Sequence, residues 1–161
     1  MSRPALPCHV VFVCSGNICR SPMAASVFGE YVRRAGLGDR VLVSSAGVGP
    51  WHAGEPMDPR AAELLAAHGY PTGHVAAQVD DHHLAADLLL AMDSSHEKAL
   101  RRLVGVRGKV RLFRSFDPDA TGDLDVPDPY YGDDDGFTSV LAMIEAASPG
   151  LLAHVRERTG T

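Results

Sequence analysis

Cysteine is scarce in this chain: Cys8, Cys14 and Cys19 are the only three, and all precede position 20. A disulfide-stapled secreted scaffold needs a larger, paired set, so this odd cluster reads as free thiols in a reducing compartment. Long apolar runs are also missing. None approaches the ~20 residues that a membrane-spanning helix needs, and the opening MSRPALP lacks the apolar stretch of a secretory signal. The expected compartment is the cytoplasm with no membrane partner, while export by a route that needs no signal stays open. Basic charge is in deficit, with 15 Lys and Arg against 20 Asp and Glu and a net charge of -5. That balance creates no overall basic field for nucleic acid, so an anionic ligand must be held by a local site.

What is present is ordinary for a globular protein: 161 residues, 45% hydrophobic and 22% charged. The length suits one domain over 1–161 with its own core. HVVFV (9–13) is a continuous apolar run fitting a strand buried on both faces. From Ser21 the period becomes helical, with Met23, Val27 and Tyr31 four residues apart and Pro22 in the first turn. VLVSSAG (41–47) reads as a strand. DPRAAELLAAHG (58–69) reads as a helix capped by Asp58, with Pro59 at its first position and Gly69 as its stop. ADLLLAM (86–92), a helix from Ser94 to Val104, and KVRLF (109–113) continue the alternation. An acidic irregular segment covers 115–136, and a last helix runs from Phe137 to near Arg158, kinked or divided at Pro149. Repeats, linkers and low-complexity tracts are absent.

Strand alternating with helix four times implies an α/β fold with a parallel sheet covered on both faces. In such sheets ligands bind beyond the carboxyl ends of the strands. Cys14 sits at that end of the first strand, and the acidic segment leaves the fourth strand on the same rim.

The turn C-S-G-N-I-C-R-S (14–21) lies between strand and helix. Such a loop points backbone N–H groups at its own centre, and the helix N-terminus adds about half a positive charge. Gly16 admits close approach of a ligand and Asn17 tolerates left-handed backbone. Arg20 offers a rigid fork of donors to two oxygens of a phosphate. A thiol in that setting is expected to ionise, with Ser21 as a hydrogen-bond donor, and to attack a bound phosphorus in line. A strand-end cysteine alone is ordinarily packing; here Gly, Asn, Arg and Ser-Pro around Cys14 outweigh that reading, whereas Cys8 keeps it.

VCSGNICRSPMA resembles the C-x-x-x-x-x-R-S signature of the low-molecular-weight protein tyrosine phosphatases. Three further stretches match in the family's order: SSAGVGPWHAGEPMDPRA (44–61), HGYPTGHVAAQV (68–79) and DVPDPYYGDDDGF (125–137). The resemblance implies a flavodoxin-like four-stranded parallel sheet with the phosphate-binding loop, Ser15, Gly16, Asn17, Ile18, Cys19 and Ser21 included, after the first strand. It implies catalysis by Cys14 and Arg20 without metal or other cofactor, on tyrosine-phosphorylated proteins, with inorganic phosphate or other oxyanions as inhibitors.

A phenolate leaving group has a conjugate acid near pKa ~10, and a positioned acid is worth typically ~10²–10⁴-fold. The family places that acid at the aspartate of DPYYG, Asp128, held between Pro127 and Pro129. Bound phosphate and acidic neighbours are expected to favour its protonated form. Asp125, Asp133, Asp134 and Asp135 read as solvated surface. By resemblance Tyr130, Tyr131 and Trp51 wall the pocket, His52 being a weaker candidate, and Ser45 and His74 support the loop together with Asn17. Family members also imply a Cys14–Cys19 disulfide under oxidant, against the simpler reading of Cys19 as packing. Ala25 and Ser44 depart from residues common in relatives. A monomer is expected. Two rivals stand beside this reading: an arsenate reductase, which needs relay cysteines that the chain lacks after Cys19, and a phosphate-binding or redox-sensing module with no turnover.

Overall fold

A computed structural model describes residues 7–104 and 107–160. Strands β1 (Cys8–Cys14), β2 (Val41–Gly47), β3 (Leu88–Ala91) and β4 (Val110–Leu112) form one sheet in the order β2-β1-β3-β4, every pairing parallel. Five helices alternate with them: α1 (Arg20–Arg34), α2 (Pro59–Ala67), the single turn α3 (Asp81–Leu84), α4 (Ser94–Leu103) and α5 (Asp134–Thr159). This is the parallel α/β sheet that the alternating pattern implied, in the flavodoxin-like form that the family resemblance implied.

All seven residues of β1 are buried, as its unbroken apolar run requires of a central strand. Alternate side chains serve opposite faces. Val10 and Phe12 join Met23, Val27 and Phe28 of α1 and Val140, Leu141 and Ile144 of α5 in the larger core. Val11 and Val13 meet Leu89, Ala91, Leu100 and Val110 on the other side. Phe12 sits edge-on to both Phe28 and Phe113, with ring centroids 5.8 and 5.0 Å apart. Such pairs contribute about 0.5–1.5 kcal/mol beyond their buried area.

Helix starts follow the sequence signals. Asp58 caps α2, its side chain accepting from the Arg60 amide at 2.8 Å, and Pro59 opens the helix. Several elements differ from expectation, and α3 has no counterpart in the sequence reading. β3 is shorter than 86–92, spanning Leu88–Ala91, although the flanking Asp87 and Met92 amides still donate to the His9 and Val13 carbonyls of β1 at 2.9 and 3.1 Å. β4 is only three residues long, as the chain tightens into a 3₁₀ turn over Phe113–Phe116. α1 begins at Arg20, one residue early. α5 begins at Asp134 and runs undivided through Pro149 to Thr159.

By length and composition α5 would suffice to cross a membrane, against the expectation that no segment would. Its apolar side chains instead pack into the larger core against α1. Gly150 has a packing reason: a Cβ there would lie 2.0 Å from the Phe116 carbonyl oxygen.

The parallel register aligns Cys14 with Gly47, and Val13 with Ala91. The carboxyl ends of β1, β2 and β3 therefore share one rim.

Candidate active site

The loop from β1 into α1 is folded around Asn17, the one non-glycine residue with positive φ (61°) among the described residues. Its buried side chain uses every polar atom. Nδ2 donates to Ser21 Oγ at 2.8 Å and to Ser45 Oγ at 3.0 Å, while Oδ1 accepts from the Ala77 amide at 2.9 Å. Its carbonyl accepts from His74 Nε2 at 2.7 Å, and burial keeps the His74 pKa below the usual range. Amides of Val48 and Gly49 donate to the carbonyls of Cys14 and Ser15, at 2.8 and 3.1 Å. Gly47 permits this contact, since a Cβ on it would stand 2.8 Å from the Ser15 carbonyl oxygen. The loop is held from outside through its carbonyls and side chains.

Cys14 lies at the floor, buried, with Sγ 2.9 Å from Ser21 Oγ. Ser21 Oγ already accepts from Asn17, so its proton is free for the sulfur; the Ala46 carbonyl is a longer alternative at 3.4 Å. Arg20 is buried as well. Its Nη1 donates to Asp93 Oδ2 at 2.9 Å and to the Val126 carbonyl at 3.0 Å, and its Nη2 lies 3.6 Å from Asp128 Oδ2. Burial opposes the Asp93 charge, but hydrogen bonds from Ser95, Arg20 and the His96 amide prevail and hold its pKa low.

A cleft of about 310 Å³ opens above the sulfur, lined by Cys14, Ser15, Gly16, Ile18, Cys19, Arg20, Trp51, His52, Asp128, Tyr130 and Tyr131. Trp51 and Tyr131 are 68% and 89% exposed, Trp51 lying against Gly49 and Tyr131 edge-on to Tyr130, which is 38% exposed. The cleft is thus an anion-sized floor under aromatic sides, with one carboxylate on the rim.

A model of the low molecular weight phosphotyrosine protein phosphatases matches residues 9–160. The chain belongs to that family. It is 58% identical to low molecular weight protein-tyrosine phosphatase A of Mycobacterium tuberculosis over 153 residues, 94% of each chain. The solved structure of YfkJ from Bacillus subtilis superimposes with a TM-score of 0.88 at 34% identity, covering 98% of this chain and 99% of that one. YwlE arginine phosphatase, solved as a cysteine-to-serine mutant with a phosphorylated active site serine, matches at 0.81 and 31%, covering 92% and 95%.

All the residues expected at the floor and walls of this phosphatase cleft come together, and Ser45 and His74 reach the loop from behind. Asp125 departs from its expectation as solvated surface: its carboxylate accepts from Ser94 N and Oγ at 3.0 and 3.1 Å. Ser94 is the first residue of α4, so the carboxylate meets unpaired helix donors there.

Asp93 and His96 were missed in the sequence. Asp93 caps α4, and the stretch MDSSH directly after β3 carries that signal at the same sheet rim. The Asp93 amide donates to His96 Nδ1 at 3.2 Å, so the proton sits on Nε2, which donates to Ser15 Oγ at 2.9 Å. Burial pushes the His96 pKa down to about 4, making its contact with Asp93 that of a neutral ring. Among the described residues no group of three or more His, Cys, Asp or Glu is placed to hold a metal ion.

Proposed function

We propose that this phosphatase hydrolyses phosphotyrosine in proteins, and small aryl phosphates, in two steps through a phosphocysteine on Cys14. In the first, the Cys14 thiolate forms a P–S bond as the P–O bond to the phenol breaks. Asp128 gives its proton to the departing oxygen. In the second, water attacks phosphorus, Asp128 takes the proton of that water, and the P–S bond breaks to release phosphate. Arg20 and the amides of residues 15–21 hold the three non-reacting oxygens throughout. Trp51, Tyr130 and Tyr131 embrace the substrate ring.

One observation carries this reading. The Cys14 sulfur, the buried Arg20 and the loop residues Ser15, Gly16, Ile18 and Cys19 line one floor, while Asp128 lies 3.6 Å from Arg20 at the rim. The phosphorylated active site serine of the YwlE mutant supports a covalent phosphoryl group in this fold. Because that relative is an arginine phosphatase, phosphoarginine is the competing substrate; aromatic walls and an acid for a phenolate favour phosphotyrosine.

The same reading makes inorganic phosphate and other oxyanions competitive inhibitors, the working unit a monomer and the compartment cytoplasmic. It also includes redox control: peroxide converts Cys14 to a sulfenic acid, which condenses with the Cys19 thiol to give a disulfide and water. Burial and the nearby Asp58 push the Cys19 pKa up to about 12, so condensation is slow at neutral pH and accelerates as pH rises.

The test is Cys14→Ser and Asp128→Ala on phenyl phosphate and nitrophenyl phosphate, with phosphotyrosine and phosphoarginine peptides alongside. Cys14→Ser abolishes turnover. Asp128→Ala costs about 10²–10⁴-fold on phenyl phosphate and much less on the nitrophenyl ester, whose leaving group needs little help. Full activity in Cys14→Ser removes the covalent route, and equal losses on both esters remove Asp128 as the acid.

A further inference from the structure

The segment carrying Asp128 is tied down on both sides, and the two sides differ. Upstream, the Val126 amide donates to the Met92 carbonyl at 2.7 Å, and Arg114 Nη1 donates to the carbonyls of Asp123 and Asp125 at 3.1 and 2.9 Å. Downstream, one side chain from another element reaches in. Arg60, in the first turn of α2, donates through Nη2 to the Tyr130 carbonyl at 3.0 Å and through Nη1 to the Gly132 carbonyl at 3.3 Å. Its guanidinium also lies over the Tyr130 and Phe137 rings, 5.6 and 4.6 Å from their centroids.

The other edge of the same fork is fixed. Arg60 Nε and Nη2 donate to the two oxygens of Asp58, at 3.1 and 3.0 Å. Asp58 is buried, and its backbone amide donates to the Ile18 carbonyl at 2.9 Å, within the phosphate loop. Burial works against the Asp58 charge, but the Arg60 contacts outweigh it and keep its pKa below the carboxylate range. A continuous chain therefore runs from Ile18 through Asp58 and Arg60 to Tyr130, whose own amide donates to Asp128 Oδ1 at 3.0 Å.

We infer that Arg60 is a positioning residue for the general acid, setting the place of Asp128 relative to the phosphate loop. This rests on Asp128 being that acid, as proposed above. The physical reason lies in the geometry of the fork: a planar guanidinium takes two carboxylate oxygens on one edge and two carbonyls on the others, which a lysine ammonium cannot reproduce. Releasing the downstream end lets the Tyr130 peptide turn, and the carboxylate that its amide orients turns with it. Displacements of about 1 Å at a reacting group cost up to about 10²-fold. The aromatic wall at Tyr130 would loosen in the same motion, while Cys14, Arg20 and the loop amides keep their contacts.

The experiment measures kcat/KM of Arg60→Ala, Arg60→Lys, Asp128→Ala and Arg60→Ala with Asp128→Ala, on phenyl and nitrophenyl phosphate, with inhibition by inorganic phosphate. Arg60→Ala should lose about tenfold on phenyl phosphate and about twofold on the nitrophenyl ester, with inhibition by phosphate unchanged. Arg60→Lys should fall between wild type and Arg60→Ala; if the alanine variant does not fold, the lysine variant carries the same comparison. In the double variant the Arg60 change should add nothing to the loss from Asp128→Ala. Equal losses on both esters, weakened phosphate inhibition, additive losses or no loss would each overturn the inference. If Asp128→Ala discriminates between the esters and Arg60→Ala does not, only the positioning role fails. If Asp128→Ala itself does not discriminate, the acid assignment fails and takes this inference with it.

Discussion

The two loops that meet over Cys14 are built in opposite ways. The phosphate loop is buried at Cys14, Asn17, Cys19, Arg20 and Ser21, and is bonded to β2, to residues 74–77 and to α4. The segment around Asp128 is largely exposed, with Tyr131 at 89%, and hangs from a few contacts on each side. The difference matches two tasks. Donors that stabilise charge on a phosphoryl group work best when nothing has to reorganise during the reaction. In the proposed mechanism, an acid over the mouth of the cleft must instead let a bulky phosphoprotein in and its product out. Damage to the first loop should therefore weaken all substrates alike, and damage to the second should depend on the leaving group.

Asn17→Ala gives the largest expected effect among the supporting residues. It deletes three side-chain bonds, strands the Ala77 amide, and leaves a left-handed backbone position without its favoured residue. A loss of about 10²-fold in kcat/KM is expected on phenyl and nitrophenyl phosphate alike, with about 1–3 kcal/mol of stability. A loss confined to phenyl phosphate would break the contrast between the loops. Gly47→Ala comes next. Its new Cβ would meet backbone atoms of Ser15 and Gly16 at 2.8 and 3.1 Å, and backbone cannot swing away as a side-chain tip can. About 1–3 kcal/mol of destabilisation is expected in urea unfolding, with a parallel loss on both esters. Asp125→Asn should be milder, about 1 kcal/mol, because Ser94 retains a neutral acceptor. Its kinetic effect should fall on phenyl phosphate, which a comparison of the two esters reads directly.

Much of this division was legible in the sequence because local signals carried it. An unbroken apolar run placed β1, Pro and Asp placed the start of α2, and the C-S-G-N-I-C-R-S turn contained the cradle within eight consecutive residues. What escaped depends on side chains meeting across long separations. Asp125 looked like one more residue in an acidic tract; only the fold brings it to the start of α4. Asp93 and His96 carry a helix-start signal, but nothing local shows that they reach Arg20 and Ser15, 73 and 81 positions away. Arg60 sits in an unremarkable helix turn, 70 positions from the carbonyl it holds. The short β4 and the early start of α5 were hidden because the competing 3₁₀ turn and the acidic first helical turn have no apolar period.

The smallest expected effect concerns pH, and it also separates the loops. His96 is buried, accepts from the Asp93 amide and donates to Ser15, an arrangement that only the neutral ring can make. Burial holds its folded pKa at about 4, below the unfolded value near 6.5. The unfolded chain therefore binds the extra proton first as pH falls. Stability from this group is complete above about pH 6.5, declines between 6.5 and 4, and is down by about 2 kcal/mol at pH 5. His9, His74 and His83 are also held low by burial and add to the decline, so a single variant is needed to isolate His96. His96→Gln keeps a side-chain donor for Ser15 but cannot titrate. Unfolding free energies of wild type and variant should converge as pH falls from 8 to 5, and the difference should narrow by about 2 kcal/mol. Residues 125–133 contain no histidine. A difference that stays constant from pH 8 to 5 would mean that the His96 ring is already solvated, and the rigid side of the comparison would lose its α4 support.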